Sequence, residues 1–197
     1  MENRMATTGS SRTFNTESSG ISLNSNFYLQ NFYKGNRNLA KTSVRPDYNK
    51  TELSYEDSRA LKRAASKLSS FRYTEDENGD NLVSTIQAFA ETYNNAIDSS
   101  STKDTDTYRQ NRQLKALTKK YGEELEDLGI SIEDDGKLTI NETLLKKSSF
   151  DEVKKVFSEE SEYITNVKRI AKRMHATSAE EVYAMMTGNG GRINIQL

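Results

Sequence analysis

Residues 128–141 read Leu-Gly-Ile-Ser-Ile-Glu-Asp-Asp-Gly-Lys-Leu-Thr-Ile-Asn, and the fold is decided here. Ile130, Ile132, Leu138 and Ile140 alternate with Ser131, Glu133, Lys137 and Thr139. A period of two places all four apolar side chains on one face of a β-hairpin. Between the arms stands Glu133-Asp134-Asp135-Gly136, whose Asp-Gly pair supplies the positive φ angles of a two-residue hairpin turn. Gly129 is placed to end the preceding helix in the left-handed conformation. A hairpin is marginal alone in water, so its apolar face needs a cover.

Working outward, the cover is a pair of amphipathic helices. Leu82, Ile86, Phe89 and Tyr93 recur at spacings of four, three and four. Leu114, Leu117, Tyr121, Leu125 and Leu128 form a second stripe. Each stripe fits one buried helical seam. The linker from Asp98 to Asp106 has no large apolar residue, and it lets the two helices fold back as an antiparallel pair. The expected class is mainly α: an elongated antiparallel helical hairpin or bundle with one β-hairpin and a disordered N-terminal tail.

Toward the N-terminus, residues 1–50 read as a mostly disordered tail. Residues 1–25 are dominated by Ser, Thr, Asn and Gly. Within the tail, Phe27, Tyr28, Leu29, Phe32 and Tyr33 cluster, either to dock on the helical body or to anchor a partner through Phe32 and Tyr33. The body spans 51–187. Ser54 with Asp57 makes a capping-box start for a helix carrying Leu61, Ala64, Ala65, Leu68 and Phe71 and ending near Tyr73. Thr74 to Asn81 resembles the start of a calcium loop at Asp76, Asn78 and Asp80. Asn81 and Gln87 stand where the glycine and the bidentate glutamate belong, so a helix-capping turn is expected.

Beyond the hairpin, Asn141 caps a short helix with Leu144 and Leu145. Ser149 and Glu152 form a capping box ahead of Val153, Val156 and Phe157. A further helix carries Ile164, Val167, Ile170, Ala171 and Met174. Ser178 starts another short one with Val182, Met185 and Met186, both methionines assigned to the core. The Gly-rich end, 188–197, alternates Ile193, Ile195 and Leu197 as a terminal strand or a tail.

Composition narrows the function classes. Hydrophobic residues make up 34% and charged residues 29%, so the core is thin. Cysteine is absent, which removes disulfides and thiolate metal sites. No apolar run approaches the ~20 residues of a membrane span, and the first 25 residues lack an apolar signal core. Residues 1–50 hold seven Lys/Arg against three Asp/Glu, and residues 51–197 hold 21 against 26. No Arg/Lys cluster with interleaved aromatics is visible, so no nucleic-acid partner is expected. His175 is the single histidine and reads as a surface group near a helix C-terminus. No nucleophile, zinc-protease, P-loop or dinucleotide motif occurs. Neither catalysis nor a cofactor or metal site is expected.

The block from Leu82 to about Met174 resembles the C-terminal region of bacterial flagellar filament-capping proteins, also called hook-associated protein 2. The resemblance rests on Phe89-Ala90-Glu91-Thr92-Tyr93-Asn94, similar to an aromatic-x-x-x-Tyr-Asn signature. It continues through Leu128-Gly129-Ile130 and Asp135-Gly136-Lys137-Leu138 to Val153-x-x-Val156-Phe157. It covers about half the chain. It implies a small cap-like structural protein, exported through the flagellar channel to an extracellular filament. Such a protein associates with itself or with flagellin-type subunits as a homo-oligomer. The interaction residues expected on this reading are Leu82, Ile86, Phe89, Tyr93, Leu114, Leu117 and Tyr121. The alternative is a cytoplasmic helical adaptor or chaperone-like protein that holds a partner with Phe32 and Tyr33.

Overall fold

Helix formation in the body begins where a side chain can cap it. Asn49 Oδ1 accepts from the Glu52 amide at 2.8 Å, and Glu52 Oε2 accepts from the Asn49 amide at 3.0 Å. This reciprocal box opens α2, Lys50–Ser69. The start is thus earlier than the expected Ser54–Asp57 box, because Asn49 with Glu52 satisfies the same orphan amides first. Ser54 and Asp57 are instead buried inside α2, which stops at Ser69.

In this computed structural model, residues 25–73, 79–103 and 105–188 are described. The stretches 1–24 and 189–197, with the first part of the expected 1–50 tail and the expected terminal strand, lie outside them, as do Asp76 and Asn78. Asp80 falls in the first turn of α3, Gly79–Ser99. The remaining elements are α1 Ser25–Phe32, two 3-10 turns at Arg37–Ala40 and Arg45–Asp47, α4 Tyr108–Lys120 and α5 Gly122–Asp127. They are followed by β1 Ile130–Ile132, β2 Leu138–Ile140, α6 Glu142–Leu145, α7 Phe150–Phe157 and α8 Glu162–Gly188.

The architecture is mainly α: an antiparallel helical bundle with one β-hairpin. Its centre is α2, whose Ala60, Ala64 and Ala65 are fully buried. Small side chains let α3 and α8 approach closely on either side. Both run antiparallel to α2. Tyr33 bridges Asp57 of α2 to Asn95 of α3, while Ser58 and Ser69 of α2 meet Ser178 and Lys168 of α8.

The two helices before the hairpin touch where Asn111 Nδ2 donates to Ile97 O at 2.7 Å, but each makes its main packing elsewhere. α3 packs on α2 and α1, and α4 packs on α8. The reason lies in their buried faces. α3 is buried on nearly every side, whereas α4 buries only Asn111, Leu114 and Thr118. One leucine cannot cover α3, but α2's alanine face can. The second stripe is also two helices, because the chain turns at Tyr121 between α4 and α5.

The hairpin pairs Ile130 with Ile140, Ser131 with Thr139 and Ile132 with Leu138. Ile130 and Leu138 are buried, and Ile132 and Ile140 are half-buried against the core. Gly129 has φ +76°, as its helix-ending position requires. The turn differs from the two-residue expectation. Gly136 N–H donates to Glu133 O at 2.8 Å, and Glu133 N–H to Lys137 O at 2.8 Å. Gly136 has φ +83°, and no non-glycine residue among those described has positive φ. That is a three-residue loop ending in a glycine bulge, because Asp135 keeps a negative φ.

Asn141 and Ser149 cap α6 and α7 as expected. α8 does not break at Ser178. It is one helix of 27 residues, about 40 Å long. Ser178 is buried in its middle against α2, so its hydroxyl never caps. The core is closed by an aromatic chain: Phe89 to Phe157 at 5.8 Å, Phe157 to Tyr163 at 6.1 Å and Tyr163 to Tyr121 at 5.4 Å.

Candidate functional site

Two of the segments that carry the family resemblance meet at the edge of β2. In an antiparallel pair, alternate residues turn their amide and carbonyl away from the partner strand. Glu133 N–H donates to Lys137 O and Asn141 N–H to Gly129 O, each at 2.8 Å, so Leu138, which alternates with these positions, faces outward. Asn94 of α3 receives it. Asn94 Nδ2 donates to Leu138 O at 2.8 Å, and Leu138 N–H donates to Asn94 Oδ1 at 2.7 Å. One side-chain amide thus acts as the next strand would. It satisfies a buried residue's backbone and covers the sheet edge. Beside it, Lys137 Nζ binds Asp98 at 2.9 Å and Asp135 at 3.1 Å, tying the turn to the end of α3.

A second cluster ties the N-terminal segment to the bundle. Asp57 is fully buried. It accepts from Tyr33 Oη at 2.8 Å and from Arg45 Nη1 and Nη2 at 2.9 and 2.6 Å. Tyr33 Oη in turn accepts from Asn95 at 3.1 Å. Burial, and then the Asp57 charge, hold the Tyr33 phenol well above its ordinary range. Burial works against the Arg45 charge, but its bonds to Asp57 outweigh this and raise its pKa. With three donors on one carboxylate, the cluster is a cross-link.

His175 lies mid-helix in α8, not near a C-terminus. Its ring packs on Tyr55 at 4.8 Å. Burial, then Lys62, then Arg59 and Arg63 push its pKa below 6.5. Glu56, buried beside Arg59 at 3.1 Å, is pushed up by burial against that neighbour's pull. Among the described residues, no three His, Asp or Glu side chains gather as a metal site, and no helix is long and apolar enough to cross a membrane.

The expected interaction residues are the monomer's own core. Leu82, Ile86, Phe89, Tyr93 and Leu114 are buried, and Leu117 and Tyr121 pack partly buried against them. Phe32 and Tyr33 are buried as well, so the N-terminal segment docks on the bundle and residues 25–49 belong to the folded body. Of the two expected readings of the aromatic cluster, the structure has Phe32 and Tyr33 docked on the body, where burial favours the rings. The methionine assignment is corrected. Tyr183, Met185 and Met186 are 69%, 38% and 61% exposed on the last turns of α8. Sequence reading missed Asn94, Arg45 and Asp57 as contact makers. Asn94 was visible only as a motif letter.

No protein-family model, curated protein or solved structure matches this chain.

Proposed function

We propose that the chain is a non-enzymatic structural protein that assembles with copies of itself or with filament subunits, in the class of bacterial flagellar cap and hook-associated proteins. One observation carries the reading. Two of the motif blocks of the resemblance, Tyr93-Asn94 and Asp135-Gly136-Lys137-Leu138, are joined by the paired Asn94–Leu138 hydrogen bonds. Their spacing in the chain therefore encodes one physical unit. The expected seam residues are spent on the monomer, so assembly uses another surface. Tyr183, Met185 and Met186 at the end of α8 offer the apolar contact that exposed rings and thioethers provide.

The test is the mass of the full chain across a concentration series by light scattering. Growth of mass with concentration, reduced by Tyr183→Ser with Met186→Ser, is the expected result. A monomer at every concentration overturns it.

A further inference from the structure

Two acid-free runs of the sequence lie side by side in the fold. Residues 58–73 carry Arg59, Lys62, Arg63, Lys67 and Arg72, and residues 163–179 carry Lys168, Arg169, Lys172 and Arg173. Antiparallel packing of α2 on α8 sets the two runs in register. Ser58 Oγ lies 3.3 Å from Ser178 Oγ at one end, and Lys168 Nζ lies 3.0 Å from Ser69 Oγ at the other. None of the nine cations is buried. On α2, Arg59, Lys62, Arg63 and Lys67 recur at spacings of three and four, hence on one face. Among the described residues only Arg59 of the nine has an ion-pair partner, Glu56.

The opposite charge is gathered elsewhere. Residues 121–136 hold seven acids and no Lys or Arg: four on α5 and Glu133, Asp134 and Asp135 in the turn. All seven are exposed. α5 packs on β1, so the helix and the turn form one surface around an open groove of about 610 Å³. Lys115 and Lys119 of α4 line the groove's other wall. Asp135 is paired with Lys137, and the other six acids have no ion pair among the described residues. The hairpin rests on α3 and α5, whereas eight of the nine cations ride on α2 and α8 and Arg72 follows α2. No ion pair joins the two surfaces within the chain among the described residues.

We infer that the acidic α5–hairpin surface of one copy docks on the basic α2–α8 face of the next. This rests on the assembling reading above and adds a charged contact to the apolar one at the end of α8. Because two different surfaces meet, the contact is head to tail, closing into a ring or running on as a chain. Exposed charges are screened over ~8 Å at physiological salt, so the contact acts chiefly on encounter and weakens with added salt.

The experiment is sedimentation velocity of the full chain at ~0.02 M and ~0.5 M salt, a change that shortens screening several-fold. The wild type is compared with Lys172→Glu/Arg173→Glu, with Glu126→Lys/Asp127→Lys and with their equimolar mixture. Both pairs are solvent-exposed, and thermal melts verify that each variant folds. A second basic pair, Lys62→Glu/Lys67→Glu on α2, is expected to behave as the α8 pair does. The expected result is association of the wild type at low salt, tenfold or more weaker at high salt. Each variant alone stays monomeric, and the mixture recovers association because its reversed faces are again complementary.

Association that survives high salt and both variants overturns the charge contact and leaves assembly to apolar surfaces. A mixture that stays monomeric also overturns it. A monomer under every condition overturns the assembling reading as well. Capture of a duplex DNA probe with no self-association overturns the second copy as occupant.

Discussion

Replacing Asn94 by alanine removes both hydrogen bonds to Leu138 and leaves a backbone N–H and C=O facing a side chain that cannot answer them. Two hydrogen bonds at ~0.5–1.5 kcal/mol each set a floor of about 1–3 kcal/mol. Unsatisfied buried groups cost ~1–3 kcal/mol each, and Leu138 is only 4% exposed. Asn94 itself is half-buried, so water reaches part of the gap, and about 2–4 kcal/mol is expected. For a chain of this size that lowers Tm by roughly 4–16 °C. Urea unfolding gives the energy, and hydrogen exchange of the Leu138 amide gives the place. Asn94→Asp separates the two bonds. It keeps an acceptor for the Leu138 amide but sets a carboxylate against the Leu138 carbonyl, so it costs more at pH 7 than at pH 4. The neighbouring Asn95→Ala, which loses one bond to Tyr33, costs about 1 kcal/mol. An Asn94→Ala protein within ~0.5 kcal/mol of wild type, with Leu138 still protected, refutes the clamp.

Three further outcomes follow from the same geometry. Asp57→Ala strands the Arg45 guanidinium and costs ~3–5 kcal/mol, whereas Tyr33→Phe costs ~1–2 kcal/mol; both are read by urea unfolding. Gly129→Ala destabilises far more than Gly136→Ala in thermal melts. Both glycines have positive φ, but a Cβ at 129 meets Leu144 Cβ at 2.6 Å, while at 136 it meets only the movable Lys115 side chain. His175 makes stability fall on acidification. The unfolded chain takes up its proton as pH drops through about 6.5, and the folded chain resists it, so the unfolded state gains. The slope is at most ~1.4 kcal/mol per pH unit, and His175→Gln lacks it. Glu56, raised, has the opposite sign, so the wild-type-minus-variant difference is the quantity to measure.

What local pattern could reveal, the sequence revealed. The alternation of Ile130 to Ile140, the left-handed Gly129 and the caps at Asn141 and Ser149 depend on neighbours a few residues away. The failures are of another kind. Ser54 and Ser178 look like caps, but each is claimed by a residue distant in sequence: Ser54 by Thr107 at 3.0 Å and Ser178 by Ser58. Tyr33 sits in a polar stretch, and its partner Asp57 lies 24 residues on. The stripes at Leu82 and Leu114 were legible as apolar faces, but which helix each would face depended on the alanines of α2. The basic band was illegible because its two halves lie about a hundred residues apart and exist as one surface only through antiparallel packing. Counting charges along the chain averaged it against the acidic hairpin.

The most direct test of a flagellar structural role is where the tagged protein goes in cells with and without a working flagellar export gate. Appearance outside the cell that depends on the gate is the expected result. Retention inside the cell, whatever the state of the gate, contradicts it.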